Sequence, residues 1–439
     1  MAYQDKYLEY LESVPEVSRW CKETGNRMVL AYTSNLDAIA KYDEENFNRL
    51  LEKYLKEEPS YTEEETVDNM EDFARIVSYF AIHGLGGEVD ITSGAVVKEL
   101  GEFFEMSYAF GGTCAQGAGA IAAMGVPVMV HFTDESEEVI TDIKYEGIES
   151  VKDGKCVSLR ECISGQEPML HLIMQYNKGD VLKIHGKEYT IPFSNRMIMQ
   201  YDEVHKVMPV REDFMQYVEE HIEQICSYSI SGFNAILDMD IMKERAMQLK
   251  KHYHVIKAKN PETVIYFESA HFFSAKIRDY LYTELADCID IMGMNEEELI
   301  DLTVKMSHPV DKDDLESVIQ GLDYVMELYP VKGVVIHSKD YSLYYGAPMD
   351  GIDLEKGLTL GNLMSGARAR VGHHASMEEC RGNLALDLSP TGVEFSKKLD
   401  HMNTRHTAIL VPSRYMEKPR YTVGLGDTFV AGMQMCFVK

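Results

Sequence analysis

From Met197 onward, short apolar runs and amphipathic stretches take turns along the chain, and this alternation limits the fold more than any other feature. Strand-like segments read at Met197–Tyr201, Tyr228–Asn234, Val264–Glu268, Ile289–Asn295 and Gly333–His337. Between them lie helical stretches at Arg211–Ile225, Asp240–Lys257, Phe273–Leu285 and Lys312–Leu328. Such a rhythm predicts an α/β fold with a mainly parallel sheet covered on both faces by helices. Ligands of open α/β sheets collect at the carboxyl ends of the strands. Two polar features fall at such ends: Glu268 closes Val264-Ile265-Tyr266-Phe267, and Asn295 with Glu298 follows Met292-Gly293-Met294. Asn-x-x-Glu reads either as a capping box or as an oxygen site for a hydrated magnesium ion.

The first half of the chain adds further polar strand ends. A charged helix covers the first two dozen residues, and a buried strand at Arg27–Tyr32 runs into Thr33-Ser34-Asn35-Leu36-Asp37-Ala38. Helices are expected near Glu44–Glu57 and Glu63–His83, ahead of the glycine-rich turn Gly84-Leu85-Gly86-Gly87-Glu88. Glu88 reads as a strand-borne ligand or as a solvated charge. Gly111-Gly112-Thr113-Cys114 opens a small-residue helix before the strand Val126–Phe132, and its glycines allow close approach of either a ligand or a neighbouring helix. Between Thr133 and Pro192 helical periodicity gives way to short strands at Val139–Tyr145, Met169–Tyr176 and Val181–Ile191. This part is expected to form a small β-rich domain or lid, with His171 a candidate for its cleft.

Near the C-terminus stands Tyr421-Thr422-Val423-Gly424-Leu425-Gly426-Asp427-Thr428, directly before an apolar run from Phe429 to Met435. Two glycines before such a run predict a tight turn opening a helix, whose first N–H groups form an anion hole. Asp427 at the same turn is placed to take a proton from a hydroxyl while those amides hold the charge of a transferred phosphoryl group. An acid at a helix start is also an ordinary cap. The third glycine of a dinucleotide fingerprint and the Gly-Lys-Ser/Thr of a Walker loop are both missing.

Composition narrows the partners. The 439 residues carry a formal net charge of −29, which disfavours nucleic acid and anionic membrane as partners. The start of the sequence lacks the pattern of a signal peptide, and the most apolar stretch, 118 to 132, is too short to span a bilayer, so a cytoplasmic protein is expected. Eight cysteines occur without any Cys-x-x-Cys pair, which speaks for reduced thiols.

Taken in order, these stretches resemble the ADP-dependent sugar kinases, the glucokinase and phosphofructokinase family within the ribokinase-like superfamily. The likeness spans nearly the whole chain. It rests on Asn35-x-Asp37-Ala38, Gly86-Gly87-Glu88-Val89, Gly111-Gly112, the strand from His171, Asn195-Arg196, Ser231-Gly232-Phe233, His337-Ser338 and Val411-Pro412-Ser413-Arg414. Its most specific parts are Gly293-Met294-Asn295-Glu296-Glu297-Glu298-Leu299 and Thr422-Val423-Gly424-Leu425-Gly426-Asp427-Thr428. In two places the chain departs from the family pattern. Tyr266 stands where the family has the histidine of His-x-Glu, and Gly111-Gly112-Thr113-Cys114-Ala115-Gln116 leaves either Thr113 or Gln116 to serve the sugar.

The resemblance implies a ribokinase-like α/β domain, residues 1–39, 113–133 and 195–439, and a smaller lid from part of 40–112 with 134–194. It also implies ADP as phosphoryl donor, with magnesium or another divalent cation. Asp427 would be the base, with Gly424 and Gly426 at the anion hole. Asn35, Asp37, Glu88, Gly112, Thr113 and His171 would line the sugar site. Arg196, Asn295, His337, Ser338, Val411 and Gly426 would meet the nucleotide, and Glu268, Glu298 and Asp427 would hold the metal. Glu88 favours glucose, since a carboxylate accepts from neutral hydroxyls and repels a sugar phosphate. The alternatives are an ADP-dependent 6-phosphofructokinase or a bifunctional enzyme, then ATP as donor in a ribokinase-like enzyme, and then a non-catalytic sugar- or nucleotide-binding protein.

Overall fold

The computed structural model describes residues 3–62, 65–416 and 419–438. Its largest element is a ten-stranded sheet. The strands in chain order are β1 (Arg27–Tyr32), β2 (Asn35–Ala40), β3 (Gly87–Asp90), β4 (Met106–Gly111), β5 (Val128–Phe132), β6 (Ile148–Lys152), β7 (Lys155–Ser158), β8 (Leu170–Tyr176), β9 (Val181–Ile184) and β10 (Lys187–Thr190). They continue with β11 (Asn195–Tyr201), β12 (Ile225–Ile230), β13 (Val264–Glu268), β14 (Ile291–Asn295), β15 (Gly333–His337), β16 (Tyr341–Gly346) and β17 (Thr407–Pro412). Spatially the large sheet runs β17-β16-β15-β14-β13-β12-β1-β5-β6-β7. From β15 to β6 every pairing is parallel, and β16, β17 and β7 turn back antiparallel at the two edges.

Continuous apolar runs bury both faces of these strands. Met28 and Leu30 of β1 enter one core, Val29 and Ala31 the other, and helices close each side. The helices Leu354–Val371 and Leu425–Gln434 cross so closely that a Cβ on Gly432 would stand 2.5 Å from the amide nitrogen of Gly361.

The second sheet has five strands in the order β3-β11-β8-β2-β4. Its two faces differ, as a period of two requires. Ala38, Ala40, Leu172, Met174, Met197 and Met199 pack into a separate core beneath the helices Glu44–Tyr54 and Met70–His83. Asn35, Asp37, His171, Arg196, Gln200 and Glu88 occupy the alternate positions. The register sets Asp37 opposite His171 and His171 opposite Gln200.

The expected division of the chain changes at three places. Residues 35–39, read with the large domain, belong to β2, which lies between β8 and β4 in the small sheet. Met197–Tyr201, read as the first strand of the parallel alternation, is β11 of the small sheet, because its apolar positions alternate where those of a central parallel strand do not. The hairpin β6-β7, read as lid, extends the edge of the large sheet, and part of the expected strand Val139–Tyr145 is instead a short helix, Glu137–Asp142, capped by Ser136. The second early helix spans Met70–His83, and its expected start at Glu63 lies outside the described residues.

The backbone passes between the sheets four times: at 33–34, at 112, at 163–169 and at 202–211. Hydrogen bonds knit these passages together. Ser34 N–H donates to Thr133 Oγ1 at 3.2 Å, Thr113 N–H to Thr33 Oγ1 at 3.1 Å and Met169 N–H to Asp134 Oδ2 at 2.7 Å. Thr133 Oγ1 lies 2.7 Å from His205 Nε2.

Candidate active site

The turn at 421–424 ends in Gly424, whose φ of 68° is the left-handed conformation that glycine adopts without steric cost. It leads directly into the helix Leu425–Gln434. The first amides of that helix have no partner within it. Asp427 stands in the first turn, half-buried. Burial pushes its carboxyl pKa up, opposed by a hydrogen bond from Thr113 and by the charge of Arg368, while Glu268 and Asp37 push it further up. Asp427 thus lies between the polar face of the small sheet and the strand ends of the large one.

On the small-sheet side, Asn35 Nδ2 donates to Asp37 Oδ1 at 2.7 Å. His171 Nε2 donates to Asp202 Oδ2 at 3.0 Å, and His205 Nδ1 reaches the same oxygen at 2.5 Å. Burial lowers the pKa of His171, but Asp202, with Asp37 and Glu88, raises it, and the net shift is upward. Gln200 Nε2 donates to Glu88 Oε2 at 2.9 Å, and burial raises the pKa of Glu88 against the opposing charge of His171. Arg196 reaches out of this sheet to the 421–424 turn, with Nη1 3.3 Å from Thr422 Oγ1.

On the large-sheet side, His337 Nε2 donates to Glu268 Oε1 at 2.8 Å and Tyr266 Oη donates to Glu268 Oε2 at 3.2 Å. The imidazole of His337 stacks on Phe429, ring centres 4.8 Å apart. Asn295 and Glu298 do form a reciprocal capping box at the start of the helix Glu296–Lys305. The cap does not silence Glu298, whose pKa is raised to about 7 by burial and then by Glu268, with Asp427 adding to the rise. The charges of Glu268 and Asp427 thus both act on Glu298 and favour its protonated form. Glu268, Glu298 and Asp427 are a hard-oxygen donor set of the kind that suits magnesium.

A cleft of about 400 Å³ opens beside the helix start. Asn295, His337, Ser338 and Gly426 line it together with Asn362 and Ser413. Val411 does not. Its side chain is fully buried in the core, and its carbonyl accepts from Asn362 Nδ2 at 3.1 Å. The group that lines the cleft is Ser413, the first residue past the end of β17. Gln116 is buried as well. Its Nε2 donates to the Phe110 carbonyl at 2.5 Å, whereas Thr113 bonds Asp427. Sequence reading passed over Asp202, His205 and Arg368. An arginine inside the apolar run of Leu354–Val371 was the available signal for the last.

The sequence from residue 26 to 435 matches the model of the ADP-specific phosphofructokinase/glucokinase conserved region. The chain belongs to that family. This kinase is 22% identical to an ADP-specific phosphofructokinase of Pyrococcus abyssi, over 93% of this chain and 96% of the relative. It is 24% identical to an ADP-dependent glucose/glucosamine kinase of the same organism, over 97% and 96% of the two chains. A crystal structure of a phosphofructokinase from Pyrococcus horikoshii with AMP superposes with a TM-score of 0.77 at 19% identity, covering 94% of this chain and 98% of that one. An ADP-dependent kinase in complex with fructose 6-phosphate and ADPβS gives 0.76 at 18% identity, covering 100% and 98%. The fold is therefore the mixed α/β architecture of the family, and the chain is an ADP-dependent sugar kinase, a phosphotransferase acting on hexoses. Among the described residues no helix is long and apolar enough to cross a membrane.

Proposed function

We propose that this kinase transfers the β-phosphoryl group of ADP to a hydroxyl of a neutral hexose, with glucose preferred, and releases AMP. The observation that carries the choice of sugar is Glu88, held by Gln200 on the polar face of the small sheet beside His171 and Asp37. Carboxylates in that position accept from hydroxyls and repel a phosphorylated sugar.

In this reading the sugar lies against Asn35, Asp37, Glu88, Gly112, Thr113 and His171. Asp427 takes the proton of the attacking hydroxyl, and the amides at Gly424 and Gly426 receive the charge of the moving phosphoryl group. The adenosine lies in the cleft along Asn295, His337, Ser338 and Ser413, and Arg196 approaches the phosphates from the small sheet. Glu268, Glu298 and Asp427 suit a magnesium ion, directly or through its waters, and when bound such an ion neutralises charge on the diphosphate and orients it. Closing the small sheet over the helix start excludes water that would hydrolyse ADP. The net negative charge supports a reading without nucleic acid or membrane as partner.

A second reading, fructose 6-phosphate as acceptor, draws support from Arg196. It lies two positions along β11 from Ile198, the residue opposite Glu88, and its planar guanidinium suits a phosphate bidentately. Initial rates with magnesium, crossing ADP and ATP against glucose and fructose 6-phosphate, separate the two. Turnover with ADP and glucose, with AMP released, supports the first reading. Turnover with fructose 6-phosphate alone would replace it, and a preference for ATP would remove both.

A further inference from the structure

The groups converging on the helix start are mostly acids: Asp37, Glu268, Glu298 and Asp427. A diphosphate entering such a site needs positive charge that is already in place. Arg196 is carried by the small sheet and depends on the position of that sheet. Arg368 does not. It sits on the helix Leu354–Val371 of the large domain and is only 3% exposed.

Its guanidinium grips the catalytic turn at several points. Nε donates to the Val423 carbonyl at 3.1 Å, and Cζ lies 5.3 Å from the centre of the Tyr421 ring. Nη2 is 3.0 Å from the point where a Cβ on Gly424 would stand, so the absence of that Cβ is what lets the charge approach. On its far side Nη1 donates to His374 at 2.5 Å. Burial, and then Arg368 itself, hold the pKa of His374 well below its usual value, so the imidazole stays neutral and accepts. His374 stacks on Phe110 with ring centres 5.4 Å apart and so backs the arginine against β4.

We propose that Arg368 is a positioning residue for phosphoryl transfer: it fixes the 421–424 turn in the shape that presents the helix-start amides, and it supplies a permanent positive charge behind them. The inference rests on the reading of those amides as the receptor of the β-phosphoryl group. A fixed, desolvated cation needs no rearrangement at the moment of reaction, and for that reason it contributes more than one brought in by motion. An arginine serves here because its charge persists when buried.

The test uses the full-length chain as parent, Arg368→Met and Arg368→Lys, with calorimetric binding of ADP and of AMP alongside initial rates. AMP lacks the β-phosphoryl group, so a cation acting on that group alters ADP binding alone. Arg368→Met is expected to weaken ADP by about tenfold, leave AMP within about twofold and lower kcat by about 100-fold or more, the scale seen when one preorganised donor is removed. Arg368→Lys, which keeps the charge and loses the multipoint grip, is expected to retain the ADP-over-AMP preference with kcat reduced at least about tenfold. Equal weakening of ADP and AMP would reduce Arg368 to a support of the cleft and overturn the proposal. Parental kcat and affinities in either folded variant would overturn it too. If Arg368→Met does not fold, Arg368→Lys decides by the same two readouts. A parent that binds ADP more tightly than AMP yet phosphorylates no sugar would refute the acceptor reading while leaving the ADP and AMP comparison in force.

Discussion

Replacing Asp427 by asparagine is expected to move activity and stability in opposite directions. Asparagine keeps the shape of the side chain and can still accept from Thr113, so the turn and the helix Leu425–Gln434 are retained. What disappears is the base of the proposed reaction. A positioned general base contributes roughly 10²- to 10⁴-fold, which at about 1.36 kcal/mol per decade is about 2.7 to 5.4 kcal/mol of barrier. Stability goes the other way because burial, Glu268 and Asp37 raise the folded-state pKa of Asp427 above its ordinary 3.8. A carboxyl with a raised folded pKa binds its proton more tightly when folded. Its contribution to stability is therefore present below the unfolded value and lost as pH climbs through the folded value. At neutral pH Asp427 is a burden on the fold, and Asp427→Asn removes it. The assay pairs initial rates with urea denaturation at pH 7 and pH 4. The variant should be slower by two decades or more, at least as stable as the parent at pH 7, and closer to it at pH 4. Turnover within tenfold of the parent, or a variant clearly less stable at pH 7, would refute the reasoning.

Three further outcomes follow from the same geometry. Glu88→Gln should lower kcat/KM for glucose by about 10- to 100-fold, the loss expected for a hydrogen bond to a charged group worth about 1.5 to 3 kcal/mol, without lowering turnover of fructose 6-phosphate; parallel loss for both sugars would show that Glu88 does not discriminate. In metal-free buffer, Glu298, raised from 4.5 to about 7, stabilises below pH 4.5 and loses that contribution as pH rises toward 7. Adding magnesium at pH 7.5 should thus raise the Tm of the parent more than that of Glu298→Gln, and equal shifts would take Glu298 out of the metal set. Gly432→Ala places a methyl 2.5 Å from the Gly361 nitrogen, and the overpacking should cost about 1 to 3 kcal/mol in chemical denaturation at unchanged m-value; an unchanged midpoint would mean that the two helices part without cost.

The sequence announced the parts of this molecule whose chemistry is local. Gly424, Gly426 and Asp427 were legible because a turn into a helix is specified by adjacent residues, and β13 to β15 because buried parallel strands are short, apolar and separated by helices. Partnership between sheets was not legible. β11 stands directly before the alternation and looks like its first member, yet it pairs with β8 and β3, a choice made by residues far away in the chain. The helix Glu137–Asp142 is too short to establish a period. Val411 was misplaced because the last residues of β17 run inside the core, and the chain reaches the cleft only after the strand ends, at Ser413. Arg368 was hidden for a different reason: arginines in the last turn of a helix, here Arg368 and Arg370, are ordinarily solvated, and only the packing of that helix against the 421–424 turn turns Arg368 inward.

The four passages of backbone between the sheets have a mechanical consequence. A body joined at one point can swing in any direction, whereas one joined at several points along a line retains a single rotational degree of freedom. Thr133, which touches both Ser34 and His205, sits where three of the passages meet and acts as the pin of that joint. In the function proposed above, such a joint would restrict sliding and twisting of the small sheet and leave the angle of opening to decide whether Asp37, Glu88 and His171 reach the same sugar as Asp427. Substitutions at this pin, far from any reacting atom, should change kcat and KM together by altering how often that angle is reached.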